Sequence, residues 1–251
     1  MSLTGWFTED FTWDELRTLR AVERLPEVRQ ASATFDRTEG ILRLQDLLDI
    51  LDAGAERTGR PISIVAEVKH PTYFASIGLP LDGLIADALK PWDDGARTIV
   101  ECFEQTVLGQ IRDRGVDGTF VYLLEARGSA PDQVARFGAK ALPYSAQLTD
   151  AGLARLAKDV DGVSVDKALL LKPGGRDLVA RAHAAGLQVF TWTLRPENRF
   201  LAKSHRVGVD PQHWGDWSGE FRAVLETGVD GIFVDHPDLG VAARAEVVGR
   251  S

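Results

Sequence analysis

A single cysteine, Cys102, leaves the chain without any intramolecular disulfide. Its stability must come from packing, and 251 residues with 44% hydrophobic content are enough for that. No apolar run is long enough to cross a bilayer. Positive charge is scarce: 29 Lys and Arg stand against 37 Asp and Glu, a net charge of −8, with the two signs mixed along the chain. That excludes the basic stripe that nucleic-acid binding requires. An anionic small molecule can still bind, but only at a local pocket of cations or metal. The N-terminus shows no signal-peptide pattern. The chain as it stands therefore reads as cytoplasmic, with a secreted or periplasmic location open for a longer form. No glycine-rich phosphate loop follows any strand, which weakens the case for a nucleotide-binding open sheet.

What is present is an alternation. Six short runs rich in Val, Ile, Phe and Tyr read as strands: 62–68, 98–103, 119–124, 162–165, 188–193 and 231–234. Most lack polar alternation, as strands covered on both faces do. Between them, 82–90, 105–114, 150–158, 176–185 and 219–226 have the apolar spacing of helices. Near the N-terminus, 12–20 reads as a helix with Thr12 as N-cap and Glu15 completing a capping box, followed by a helix over 44–56. Gly115, Gly186 and Gly228 end helices just before strands. A V-D-G-x-x-V echo recurs at Val116, Val160 and Val229, each time where a helix hands over to a strand. Turn chemistry accounts for it, so its aspartates are poor catalytic candidates. The alternation predicts a parallel sheet with right-handed crossovers, either an open doubly wound sheet or a (βα)8 barrel.

In parallel βα folds the working residues gather at the carboxyl ends of strands. Those ends carry Glu67, Lys69 and His70; Glu101, Cys102 and Glu104; Glu125 and Arg127; Asp166 and Lys167; Trp192 and Arg195; Asp235 and His236. Side chains alternate along a strand, so Glu67 and Lys69 face one way and His70 the other. From spacing alone, a self-satisfied buried ion pair competes evenly with a metal ligand beside a phosphate-binding lysine. Glu101 and Glu125 either shape the pocket or sit on its rim. Each of the five histidines reads more readily as structural than as catalytic. The long connection over 195–217, with Trp214 and Trp217, reads as a lid or as a loop anchored by its tryptophans.

Glu67-Val68-Lys69-His70-Pro71 resembles the E-[IV]-K-x-P signature of the glycerophosphodiester phosphodiesterase family. The resemblance continues in order. Ile99–Glu104 resembles its hydrophobic-Gln-Ser-Phe strand, with Cys102 in the serine's place, and Gly186–Thr193 its G-x-x-V-x-x-W-T strand. Gly228–Pro237 resembles its closing G-V-D-G-[IV]-x-[TV]-D-x-P, and Trp6–Thr12 the segment after its second strand. The match thus runs from just after the second barrel strand to the C-terminus.

The resemblance implies a TIM-type α/β (βα)8 barrel that lacks its first two strands in this chain, leaving six βα units as strands three to eight. Residues 1–60 would be a helical insertion and the second barrel helix, and 61–251 the remainder of a single domain. It implies a phosphoric diester hydrolase that releases an alcohol and glycerol 3-phosphate from a small phosphodiester, with Ca²⁺ or Mg²⁺ as cofactor. Glu67 would be a metal ligand, Lys69 a catalytic and phosphate-binding residue, and Trp192 a substrate contact; Glu101 and Glu125 join the substrate-binding set on position. The chemistry is consistent: charge that builds on phosphoryl oxygens is stabilised by a hard cation and by a compact ammonium.

The family's His-Arg motif, its Glu-x-Asp pair and the histidine that follows have no counterpart here. Activity is therefore expected to be impaired in this chain, and the two open sheet edges are expected to be covered by the N-terminal segment or by a homo-oligomer. Two alternatives stand beside this reading: a catalytically dead barrel remnant that acts as a binding protein, and an unrelated barrel enzyme with Lys69 as a Schiff-base amine.

Overall fold

The computed structural model describes residues 4–92 and 95–249. Six parallel strands form one sheet: β1 (Ile64–Glu67), β2 (Thr98–Cys102), β3 (Thr119–Leu124), β4 (Gly162–Asp166), β5 (Gln188–Leu194) and β6 (Gly231–Val234). They pair strictly in chain order, and the sheet curls as half a barrel of α/β type. Each connection carries helix, as a parallel pair requires.

Burial falls from the centre of the sheet outward. On β3, Phe120, Val121, Tyr122, Leu123 and Leu124 are all buried, because helices cover one face and the curled interior the other. Burying each large side chain of this kind contributes roughly 1.5–3 kcal/mol. At the ends of the order, Val65 of β1 is 40% exposed and no residue of β6 is fully buried. β1 and β6 each pair with one neighbour among the described residues.

The helix ends follow the turn chemistry. Gly115, Gly186 and Gly228 take φ of +83°, +86° and +92°, the left-handed conformation that lets the chain turn from helix into strand. Two of the V-D-G aspartates hold the sheet at the strand beginnings. Asp161 accepts the Phe120 N–H at 2.8 Å, and Asp230 accepts the Val189 N–H at 2.7 Å.

The structure corrects several boundaries. The strand expected over 62–68 is the shorter Ile64–Glu67; the Val68 N–H makes a last bond to the Glu101 carbonyl at 2.8 Å, and the chain then turns through the left-handed His70 into the helix Pro71–Ser76. The helix expected over 12–20 stops at Leu16, although Thr12 and Glu15 do form the reciprocal cap. Beyond Leu16 the chain turns, and Arg20 pairs with Gly40 in an isolated antiparallel bridge. The helix begun at Leu44 runs on to Thr58. The helix Pro237–Val248 has no counterpart among the expected elements. Its apolar residues do not form one stripe: Ala243 is buried while Val241 and Val248 are largely exposed.

Candidate functional site

At the carboxyl ends of the strands two recesses share one wall. The first, of about 250 Å³, lies inside the curl of the sheet and is lined by Glu101, Trp192, Phe103 and Phe233 among others. The second, of about 320 Å³, opens toward the loop after β3 and is lined by His70, Glu104, Glu125, Arg127 and Tyr144 among others. Glu67, Lys69 and Phe103 belong to both.

The shared wall follows from the pleat. Glu67 ends β1 and points to the inner face; Lys69, two residues on, keeps that direction. Lys69 Nζ sits 2.5 Å from Glu67 Oε2, with the lysine side chain 66% exposed and the glutamate 27%. An ion pair this open to solvent contributes little to stability, so Lys69 can exchange its partner at small cost. Glu67 and Glu101 are Cα partners across β1 and β2, which puts a second carboxylate beside the first. Glu101 is only 6% exposed, and its Oε2 has no hydrogen-bond partner. Burial pushes its pKa up to about 7; the Glu67 charge adds to the rise and Lys69 opposes it.

The other predicted residues fall into place around this wall. Trp192 packs edge-on against Phe103, with ring centroids 5.5 Å apart, and its Nε1 is buried without a partner. Glu125 is exposed on the rim of the outer recess. Cys102 is buried, its thiol donating to the Val68 carbonyl at 2.9 Å, and burial raises its pKa, so it is inert. Glu104 is buried too: it accepts the Thr72 hydroxyl and, at 3.2 Å, the Thr72 N–H, and burial raises its pKa against those bonds. Of the five histidines only His70 lines either recess. Asp166 caps the short helix Lys167–Leu170, and Lys167 pairs with the fully buried Glu220 at 2.5 Å; both are structural.

Asp235 and His236 do not join Glu67. They belong to a separate network at the ends of β5 and β6. Asp235 accepts Arg195 Nε and Arg29 Nη2, both at 2.6 Å, and Arg29 Nε reaches Glu197 Oε1 at 2.8 Å. Burial would raise the Asp235 pKa, but the two guanidiniums lower it below the ordinary carboxylate range. His236 stands 3.7 Å from Glu197 and packs against Trp214. In the long connection, Trp214 is half exposed, whereas Trp217 starts the helix Trp217–Leu225 and packs on Phe221. Sequence reasoning missed Arg29 and Glu197, because Arg29 lies 168 residues from its partner and outside every strand. It also missed Phe103 and Phe233 as lining residues, although strand alternation places Phe103 on the face of Glu101.

A metal would find one well-presented ligand here. Glu67 offers a hard carboxylate at the mouth of both recesses, of the type that suits Mg²⁺ or Ca²⁺. Among the described residues no group of three His, Cys, Asp or Glu side chains stands ready to enclose an ion. The described residues thus present Glu67 as a hard ligand and do not by themselves enclose an ion.

Comparison with known proteins places the sequence in a family. The sequence profile of the glycerophosphoryl diester phosphodiesterase family matches residues 3–239, which is nearly the whole chain and more than the stretch after a second barrel strand. Glycerophosphodiester phosphodiesterase GDPD6 of Arabidopsis thaliana is 28% identical over 273 residues. That alignment covers 94% of this chain, which spans 63% of the length of the plant protein. Among solved structures, a candidate glycerophosphoryl diester phosphodiesterase from Silicibacter pomeroyi superposes with a TM-score of 0.66 at 20% identity, covering 98% of this chain and 72% of that one. An Oleispira antarctica phosphodiesterase in complex with the product sn-glycerol-3-phosphate gives 0.51 at 15% identity, covering 88% and 70%. At such identities the structural likeness is one of fold; the sequence profile carries the kinship. The chain belongs to the glycerophosphoryl diester phosphodiesterase family.

Proposed function

We propose that this chain takes part in hydrolysing glycerophosphodiesters to an alcohol and glycerol 3-phosphate. In this reading β1–β6 are strands three to eight of a (βα)8 barrel, formed by residues 61–251. Residues 1–60 supply the helical insertion and second barrel helix of the same domain. The observation that carries it is the wall shared by the two recesses. A phosphodiester has one phosphoryl group and two arms; Glu67 and Lys69 stand where two recesses meet, so one group can lie on the wall with an arm on each side.

The chemistry of each residue follows. Lys69 turns from Glu67 to a phosphoryl oxygen and stabilises the charge that grows there, as a compact ammonium can. Glu67 is the ligand this chain offers to a divalent ion, Mg²⁺ or Ca²⁺, which when bound supplies positive charge at the phosphoryl oxygens. Charge balance supports that assignment. Glu67 and Glu125 stand against Lys69 and Arg127, and the buried Glu101 and Glu104 add negative charge as they ionise, so a further cation eases the entry of an anion. Phe103 and Trp192 exclude water on the inner side.

The same reading gives this chain weak turnover by itself, because the two motif histidines that the family resemblance implies as general acid and base have no counterpart in this sequence. It also assigns the edges of β1 and β6 to cover from the N-terminal segment or from a second copy. Family kinship gives no support to a non-catalytic remnant.

The test measures glycerol 3-phosphate release by this chain with Mg²⁺ or Ca²⁺. Glu67→Ala is expected to abolish metal-dependent release. Unchanged turnover in that variant would remove Glu67 from the mechanism.

A further inference from the structure

Acidic residues make up about one in seven of the chain, yet two stretches at the carboxyl end of the sheet are almost free of them. Residues 70–81 hold none. Residues 126–145 hold one, Asp132, which is buried and accepts the Thr106 N–H at 3.0 Å and the Thr106 hydroxyl at 2.7 Å. Its charge is turned into the fold. The second stretch also carries Arg127, Arg136 and Lys140, all exposed. In a chain of net charge −8 this is a local excess of positive charge.

The two stretches share one edge of the molecule. The first follows β1 and the second follows β3, so both project from the strand ends before the helices Leu81–Leu89 and Asp150–Leu156 lead back. The helices Pro71–Ser76 and Pro131–Phe137 pack against each other, and His70, Pro131 and Tyr144 line the same outer recess. On this edge Ile77, Leu79, Val134, Phe137 and Leu142 are each between 45% and 54% exposed, and none of them lines either recess. The Arg136 guanidinium lies over the Phe137 ring, 5.0 Å from its centroid. The acid-free face ends at Tyr73, whose hydroxyl donates to Glu9.

Apolar side chains gathered on one edge and flanked by cations mark an interaction surface. The possible occupants separate by charge and shape. Two-fold pairing with a second copy would set Arg136 and Lys140 against the same cations. A folded acidic partner is recognised through complementary relief, whereas these side chains stand mostly on turns and helix ends outside the recesses. An anionic bilayer needs no such relief: apolar side chains enter the headgroup region while Arg and Lys stay with the phosphates. The N-terminal segment gives the contrast. Trp6, Leu19 and Ile41 are also apolar and exposed, but residues 4–42 hold eight Asp and Glu against five Arg, which an anionic surface disfavours.

We propose that the edge carrying Ile77, Leu79, Phe137 and Leu142 docks on an anionic lipid surface, with Arg136 and Lys140 at the headgroups. Docking there sets the mouth of the outer recess beside the bilayer. The inference does not depend on the roles assigned to Glu67 and Lys69.

Co-sedimentation of the chain with vesicles tests it, comparing phosphatidylcholine mixed with phosphatidylserine at about three to one with phosphatidylcholine alone. Wild type is expected to bind the mixed vesicles at least about tenfold more tightly, and added salt should weaken that binding. Phe137→Ser paired with Leu142→Ser, and separately Arg136→Glu paired with Lys140→Glu, should each weaken it by about tenfold or more. All four side chains are exposed, so the melting temperature should be unchanged in both variants. Trp6→Ser paired with Leu19→Ser should bind as wild type does. Hydrogen exchange at residues 74–79 and 134–142 should slow on the mixed vesicles. No binding, equal binding to both kinds of vesicle, or protection confined to residues 4–42 overturns the proposal. Dimerisation that Phe137→Ser with Leu142→Ser abolishes would reassign the face to a second copy. Polyglutamate that binds as tightly as the mixed vesicles would reassign it to an acidic protein.

Discussion

Glu67 and Glu101 sit opposite each other across β1 and β2, and only the first has a cationic partner, Lys69 Nζ at 2.5 Å. Two like charges this close, one of them buried, hold the second as an acid rather than a carboxylate over part of the pH range.

That arrangement has a sign. The Glu101 pKa rises from 4.5 to about 7 on folding. Below 4.5 both folded and unfolded chains hold the proton, so Glu101 has no effect there; between 4.5 and about 7 only the folded chain keeps it, and stability falls as pH rises. Above that window the loss is complete. Glu101→Gln should therefore be more stable than wild type at about pH 8, by on the order of 3 kcal/mol. The gain should fade toward pH 4.5, the unfolded value. Urea melts across this range, with a chelator present, measure it.

Lys69 is expected to matter for turnover and not for folding, because its side chain is 66% exposed and its ion pair is open to water. Lys69→Met should lower kcat/KM by roughly 10²–10³, the usual loss when one donor to a developing oxyanion is removed. The melting temperature should be unchanged. Lys69→Arg should recover little, since a planar fork does not replace a point charge. Steady-state assays alongside thermal melts separate the two effects.

The proposed metal dependence rests on the carboxylates around the recesses. A chelator should abolish glycerol 3-phosphate release, and added Mg²⁺ or Ca²⁺ should restore it. In Glu67→Ala no concentration of either ion should restore it. Release that persists in excess chelator would refute the metal assignment.

Arg29 ties the N-terminal segment to the far end of the sheet through Glu197 and Asp235. Arg29→Ala leaves the Glu197 carboxylate, 1% exposed, without its guanidinium. The expected cost is roughly 3 kcal/mol, the lower end for breaking a buried pair. Trypsin should then cut faster at Arg20 and Arg24. The Asp235 pKa is lowered on folding, so its share of the contact is present above the unfolded value of 3.8 and is lost as pH falls through the folded value. The gap in stability between wild type and Arg29→Ala should narrow below about pH 3.8, which acid titration of the melting temperature would show.

A steric prediction concerns Gly175, at the start of the helix Gly175–Ala184. A Cβ there would lie 2.0 Å from the Leu170 carbonyl oxygen, a clash with backbone that no rotamer relieves. Gly175→Ala should destabilise the fold by roughly 1–3 kcal/mol, as overpacking does. Denaturant midpoints check it.

Much of the architecture is legible in the residues themselves. The runs at Thr119–Leu124 and Gly231–Val234 match their strands residue for residue, because glycine and V-D-G turns punctuate the chain around them. Period-two alternation is enough to put Glu67 and Lys69 on one face. The helix Pro237–Val248 is not legible, since its apolar residues are spread around the helix and give no stripe. Nor is the Arg29 contact, which depends on how 168 residues of chain return to the same place.

By itself the sequence determined the alternation of strand and helix, the order of the family motifs and the chemistry gathered at the strand ends. These are short-range properties, set by side-chain period, turn geometry and residue type within a few positions. Only the tertiary structure decided that Glu101 is buried beside Glu67 with its Oε2 unpartnered, that one wall serves two recesses, and that Asp235 belongs to Arg29 and Arg195 instead of the corner of Glu67 and Lys69. Desolvation and contact between distant residues depend on the path of the whole chain, and no local pattern encodes that path.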